Sequence, residues 1–270
     1  MGGLVGFGNC RTPNFTRRGP AGLGWPSFAR FPPVVKFLVL ALFYGDHPEL
    51  ALRCGTTLRG LWNTGRIDLR IGLNEVSART RAVLDELLPG VDAITADPQV
   101  YKYPMMRRLV AGYRGDATHM MWFDDDSCLQ PGVDPGQWLQ AVTRRTATVT
   151  GSLGSLYTQR LTALQRDWIL RQPWATGRPL PDDLLFNTGG WKVVPLDLMR
   201  RFDFPPADMR HAGGDLALGG LLQQQGLVPE QFRVGLAINA DAQLRESAAA
   251  RRGVTEPAGG EGWKLWGPGT

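Results

Sequence analysis

The chain has 270 residues, 43% hydrophobic and 20% charged, with three cysteines and a formal net charge of +5. That is enough for one large α/β domain with a sizeable core. Cys10, Cys54 and Cys128 are too few and too scattered for a disulfide framework or a CxxC zinc site, which fits a reducing, cytoplasmic setting.

Residues 1–33 are rich in Gly and Pro and carry Arg11, Arg17, Arg18 and Arg30 with no acid, a local charge of +4. Such a segment cannot bury enough apolar surface to order itself alone. It reads either as a solubilising leader or as a flexible basic arm for a polyanion. The opening MGGLVG departs from a myristoylation site at Gly6. No apolar run approaches the roughly 20 residues that cross a bilayer, so no membrane partner is expected.

From residue 34 the pattern becomes regular. VVKFLVLALF (34–43) is continuous and apolar, as a strand buried on both faces should be. Pro48 opens a helix to about Leu61. IDLRIGL (67–73) alternates as a second strand. Ser77 caps a helix over 78–88, and VDAITA (91–96) is a third strand. YPMMRRLVAGY (103–113) is a helix, THMMWF (118–123) a strand, and DPGQWLQAV (134–142) a helix. TATVTG (146–151) is expected to be a strand, and 159–171 a helix. Residues 172–190 read as irregular, ending in a glycine turn at FNTGGW. A short strand and helix follow over 193–204, and then a helix from Asp215 to Gln225. Alternation of strand and helix predicts a mostly parallel central sheet flanked by helices, with ligands at the carboxyl ends of its strands.

Three segments stand out chemically. In WFDDDS, an apolar strand ends on Asp124, Asp125 and Asp126. Asp124 and Asp126 fall on one side of an extended chain. This is either an acidic turn or a site for a hard cation, Mn²⁺ or Mg²⁺, shared with a diphosphate. In FNTGGW, Gly189 and Gly190 permit close backbone approach, while Asn187, Thr188 and Trp191 offer polar and stacking groups. In GGDLALGG, Asp215 stands at a helix start, as a cap or as a general base.

In this order and spacing, over roughly residues 34–240, the three segments resemble the family-2-like nucleotide-sugar glycosyltransferases of the GT-A (Rossmann-like) fold. The resemblance implies a domain over 34–240, which leaves the basic arm over 1–33 before it and a tail over 241–270 expected to close over the donor. It implies that Phe43 and Tyr44, at the end of the first strand, help hold a nucleotide sugar. Asp124 and Asp125 join them, with Asp124 and Asp126 binding the metal. The NTGGW residues line the acceptor side, and Asp215 acts as base in an inverting transfer. The family's acidic turn after the second strand is absent, leaving Asn74 and Glu75 as stand-ins, and Gly214 replaces the acid that usually precedes the base. Lys102, Arg107 and Arg108 are candidates to steady phosphates. Asp241 would complete the metal shell, and Arg251 and Arg252 would close over the diphosphate.

The expected reaction moves a hexose from a donor, UDP-linked in the leading reading, to an acceptor hydroxyl. The basic arm favours a polyanionic acceptor: DNA bearing 5-hydroxymethylcytosine, as in bacteriophages, acted on in bacterial or infected-host cytoplasm. Trp174 and Trp191 are candidates to stack on a base or a sugar. Small-molecule, saccharide and protein acceptors remain open. So do a nucleotidyltransferase acting on a sugar phosphate and a non-enzymatic nucleic-acid-binding protein.

Overall fold

A computed structural model describes residues 35–98, 100–209 and 213–238. The basic arm and the tail, with Asp241, Arg251 and Arg252, lie outside the described residues.

Strands and helices alternate first: β1 (Phe37–Tyr44), α1 (Pro48–Trp62), β2 (Ile67–Asn74), α2 (Ala78–Leu87), β3 (Asp92–Ala96), α3 (Lys102–Ala111) and β4 (His119–Asp124). The short β5 (Cys128–Leu129) leads into α4 (Pro135–Thr146), β6 (Leu153–Arg160), α5 (Ala163–Leu170) and β7 (Asp183–Pro195). The chain continues through α6 (Leu196–Arg201), α7 (Gly214–Gln225), β8 (Glu230–Gln231) and β9 (Leu236–Ala237). The main sheet has the order β3-β2-β1-β4-β7-β6-β8, and β5 pairs separately with β9. Within the main sheet only β7 runs against its neighbours. The result is the mostly parallel α/β sheet that the alternation predicts.

β1 is central and buried along its whole length. Its Leu38, Leu40, Leu42 and Tyr44 face a core shared with α3, α5 and α7. Phe37, Val39, Ala41 and Phe43 face a second core with α1, α2 and α4. Strands β2 and β3 extend to one side of β1, while β4 lies on the other. The direction of winding therefore reverses between β1 and β4, and in open α/β sheets such a reversal places the ligand crevice at the carboxyl ends of the two strands, here at Tyr44 and Asp124.

The structure corrects the expectations for residues 146–195. α4 continues to Thr146, because Val142 and Thr146 extend the buried stripe of Trp138 and Leu139. The expected strand over 146–151 is absent, and β6 begins at Leu153. The expected helix start at Gln159 falls in β6, where Gln159 pairs with Leu184 and Arg160 with Asp183. The helix begins after Thr162, which forms a capping box with Gln165. FNTGGW is part of the long strand β7. Opposite β6, Gly154 pairs with Lys192 and the next residue, Ser155, pairs with Thr188, so residues 189–191 bulge out of register. Gly189 takes φ +92°, which suits glycine.

Candidate active site

The crevice between β1 and β4 contains the aspartates. Asp124 ends β4, opposite Leu42 of β1. The Lys102 ammonium, from the first turn of α3, lies 2.8 Å from its Oδ1. The indole Nε1 of Trp122 donates to the same oxygen at 2.7 Å. Burial opposes ionisation of Asp124, but the Lys102 ammonium, its hydrogen bond, the Trp122 indole and the charge of Lys192 together hold the carboxyl down to about 2. Burial also works against the Lys102 ammonium, yet Asp124, Asp215 and Asp126 raise its pKa above the ordinary value. Asp125, Asp126 and Ser127 are buried in the turn that follows, closed by the Ser127 amide donating to the Asp124 carbonyl at 3.0 Å.

Asp215 comes to the same place from the other side. The N-cap of α7 is Gly213, with no side-chain cap bond, so the Asp215 carboxylate is not the cap of its helix. It is held instead by the Lys192 ammonium from β7, by Thr188 Oγ1 at 3.3 Å and by the Tyr103 hydroxyl at 3.5 Å. Burial, then the charges of Asp215 and Asp124, push the Tyr103 phenol well above its usual range, so it stays protonated as a donor. Gly214, the departure from the resembled pattern, now has a physical reason. A Cβ there would stand 1.9 Å from the Tyr103 ring, so that ring occupies the space an acidic residue would need. The bulge in β7 sets Gly190 against the aspartate turn. A Cβ on it would lie 2.1 Å from Ser127 Oγ, 3.2 Å from Asp124 Cβ and 3.3 Å from Asp126 Oδ1.

The other expected residues divide. Tyr44 is buried beside the crevice. Phe43 is fully buried in the opposite core. Asn74 is occupied by the loop before α3: its Oδ1 accepts from the Val100 amide at 3.1 Å and its Nδ2 donates to the Val100 carbonyl. Glu75 is exposed at φ +45°. Arg107 turns away from the aspartates, donating to the Asp203 and Pro205 carbonyls at 2.7 and 2.6 Å. Among the NTGGW residues, Thr188 reaches Asp215 and Gly190 backs the aspartate turn. Asn187 is buried and bonds Ser152 and the Glu230 carbonyl. Trp191 is 0% exposed, packed edge-on against Trp138 and Phe123. Trp174 is likewise buried and packs on Trp168. Neither indole offers a face for stacking, because both complete cores.

Sequence reading missed Lys192 and Tyr103. Lys192 had a signal: it is a lone charge within the apolar run WKVVP, and a buried lysine requires a partner. Tyr103 had none, since only the fold brings it to Asp215.

Carboxylates and a buried hydroxyl form an oxygen donor set of the kind a hard divalent cation takes. Ser127 Oγ is buried without a hydrogen-bond partner among the described residues, and the side-chain-free Gly190 leaves the turn its space. No three His, Cys, Asp or Glu side chains form a ready cage among the described residues. The arrangement fits a cation that takes one or two protein carboxylates and draws its other oxygens from phosphate. Asp124 and Asp126, at the two ends of this short acidic stretch, are the candidates to hold it.

No family model matches the sequence, and no curated protein matches it. Two similar solved structures are a mannosyltransferase and a staphylococcal protein. Mannosyltransferase PcManGT from Pyrobaculum calidifontis, in complex with GDP-Man and Mn²⁺, aligns with a TM-score of 0.49 and 13% identity, over 74% of this chain and 56% of that one. S. aureus TarS aligns with a TM-score of 0.48 and 10% identity, over 73% of this chain and 35% of that one. The chain thus spans about half the length of the first and about a third of the second.

Proposed function

We propose that this chain is a metal-dependent, inverting glycosyltransferase that moves a hexose from a nucleoside diphosphate sugar to an acceptor hydroxyl. The observation that carries the reading is one electrostatic cluster at the sheet's switch point. It joins Asp124 at the end of β4, Asp215 at the start of α7, and Lys102, Lys192 and Tyr103 between them. Oδ1 of Asp215 is taken by Lys192 and Tyr103, while Oδ2 accepts a hydrogen bond from Thr188. Oδ2 is therefore the edge left for an acceptor hydroxyl. Asp215 removes the hydroxyl proton as the oxygen attacks the anomeric carbon, and the bond to the diphosphate breaks with its electron pair leaving on the nucleoside diphosphate. One base and no covalent intermediate invert the anomeric centre. A divalent cation bound at Asp124 and Asp126 would supply Lewis-acid stabilisation of the diphosphate charge. The partly buried Lys102, fixed on Asp124, adds a positive charge beside the crevice.

For the finer assignments, we propose a UDP-linked donor. The acceptor we favour, a hydroxymethylated base in DNA, is supported by the four arginines of residues 1–33. To test the whole reading, the protein is incubated with Mn²⁺, UDP- and GDP-sugars, and DNA containing 5-hydroxymethylcytosine, and the nucleosides are weighed after digestion. A hexose-sized gain on the modified base, lost in Asp215→Asn, supports it. No gain with any donor, while a small hydroxylated compound is glycosylated, overturns the DNA acceptor alone. No transfer to any acceptor and no release of nucleoside diphosphate overturns the transferase.

A further inference from the structure

α3 ties the crevice to a second feature at the opposite end of the strands, near the start of β4. Its first residue, Lys102, holds Asp124, and its last, Ala111, lies roughly 14 Å further along the helix axis at 1.5 Å per residue. There the carboxyl end of α3 meets α6, which follows β7 where Pro195 pairs with His119, the first residue of β4. A cavity of about 450 Å³ lies between them, lined by Arg107, Arg108, Arg114, Arg200 and Asp203 over a floor of Val110, Met199 and Phe204.

The charges do not balance. Four guanidinium groups face one carboxylate, which Arg107 engages at 2.8 Å. Two of the others are fixed by neutral carbonyls. Arg114 donates to the Ala111 and Tyr113 carbonyls at 2.7 and 3.4 Å, and Arg200 donates to the same Tyr113 carbonyl at 3.1 Å. Arg200 also lies 5.5 Å from the centre of the Tyr113 ring. Two like charges thus converge on one oxygen, oriented but not neutralised. The Arg108 side chain is exposed, and its guanidinium makes no ion pair or hydrogen bond with a described residue. Each guanidinium carries five N–H donors in a planar fork suited to phosphate, and few are used here. The floor is apolar: Val110, Met199 and Phe204 are buried. A concave site of this volume matches a small molecule rather than the continuous groove that tracks a nucleic-acid strand.

We infer that this cavity is a second ligand site, which binds the phosphate group of a small organophosphate on its arginines and rests the organic part on its apolar floor. It is separate from the crevice and does not rest on the proposed transfer reaction. Titration calorimetry in EDTA, where the crevice lacks its metal, tests it with inorganic phosphate, pyrophosphate, uridine 5′-monophosphate and a short DNA duplex. The nucleotide binds more tightly than inorganic phosphate. Arg108→Glu, a surface change that leaves the fold intact, and Arg114→Ala each weaken it by about tenfold or more, the size expected for a charge-assisted bond. Asp126→Ala leaves it unchanged. Lack of binding by every small probe at millimolar concentration overturns the inference. So does binding that is insensitive to both arginine changes, binding lost in Asp126→Ala, or binding by the duplex alone.

Discussion

Gly190→Ala tests whether the β7 bulge sets the geometry of the aspartate turn. The added Cβ would stand 2.1 Å from Ser127 Oγ, and Ser127 is 0% exposed. Carbon does not approach oxygen so closely, so the turn must move by about 1 Å, and overpacking of this kind costs about 1–3 kcal/mol. The moving part carries Asp124 and Asp126, whose distances from the new methyl would be 3.2 and 3.3 Å. A misplacement of about 1 Å in a catalytic constellation lowers turnover by on the order of a hundredfold. The expected result is a modest loss of stability in urea with a far larger loss of metal-dependent nucleoside diphosphate release. Ser127→Gly in the same chain removes the colliding oxygen, so the double variant should recover most of the stability. A Gly190→Ala protein with wild-type stability and turnover would refute the placement of the bulge against the turn. Failure of Ser127→Gly to rescue would refute the named collision.

Asp215→Asn should keep donor affinity and lower turnover by roughly a hundredfold or more, as loss of a general base does; full activity would return Asp215 to a structural role. Burial holds the pKa of His119 down from 6.5 to about 4. The unfolded chain therefore binds the proton that the folded one refuses, and stability falls as pH drops from 6.5 towards 4, by up to about 3 kcal/mol. Urea midpoints across that range should show the decline in wild type and a flatter profile in His119→Gln; equal slopes would contradict it. If DNA is the acceptor, deleting residues 1–33 should weaken binding at low salt. The plot of log affinity against log salt should also flatten, by about 0.9 for each phosphate that the arm had neutralised. An unchanged slope would remove the arm from the interface.

The first four strands and their helices were legible because each signal is local. β1 reads as continuous apolar sequence, and Pro48 and Ser77 mark helix starts at their own positions. β6 and β7 were not legible because their pairing is long-range. The outer half of β6, Tyr157 to Arg160, is exposed and polar, and its partner starts at Asp183. The glycines of NTGGW read as a turn, although in the fold they make a bulge inside a strand. The aspartates were visible as a run of like charge, but their counter-charges were not. Asp124, on β4, meets Lys102 from α3, and Asp215 meets Lys192 across 23 residues of sequence. The large indoles, read as stacking surfaces, belong to the interior, since nothing local distinguishes a ligand-facing tryptophan from one that fills a core.

If the crevice beside Asp124, Asp126 and Asp215 binds a nucleoside diphosphate sugar through a divalent cation, donor affinity must depend on both the metal and Asp126. Titration calorimetry with UDP- and GDP-sugars, with and without Mn²⁺, on the wild type and on Asp126→Ala measures this directly. The expected result is saturable binding of a nucleotide sugar that requires Mn²⁺ and disappears in a folded Asp126→Ala. Binding that is indifferent to the metal and to Asp126, or no binding of any nucleotide sugar in the presence of Mn²⁺, would contradict it.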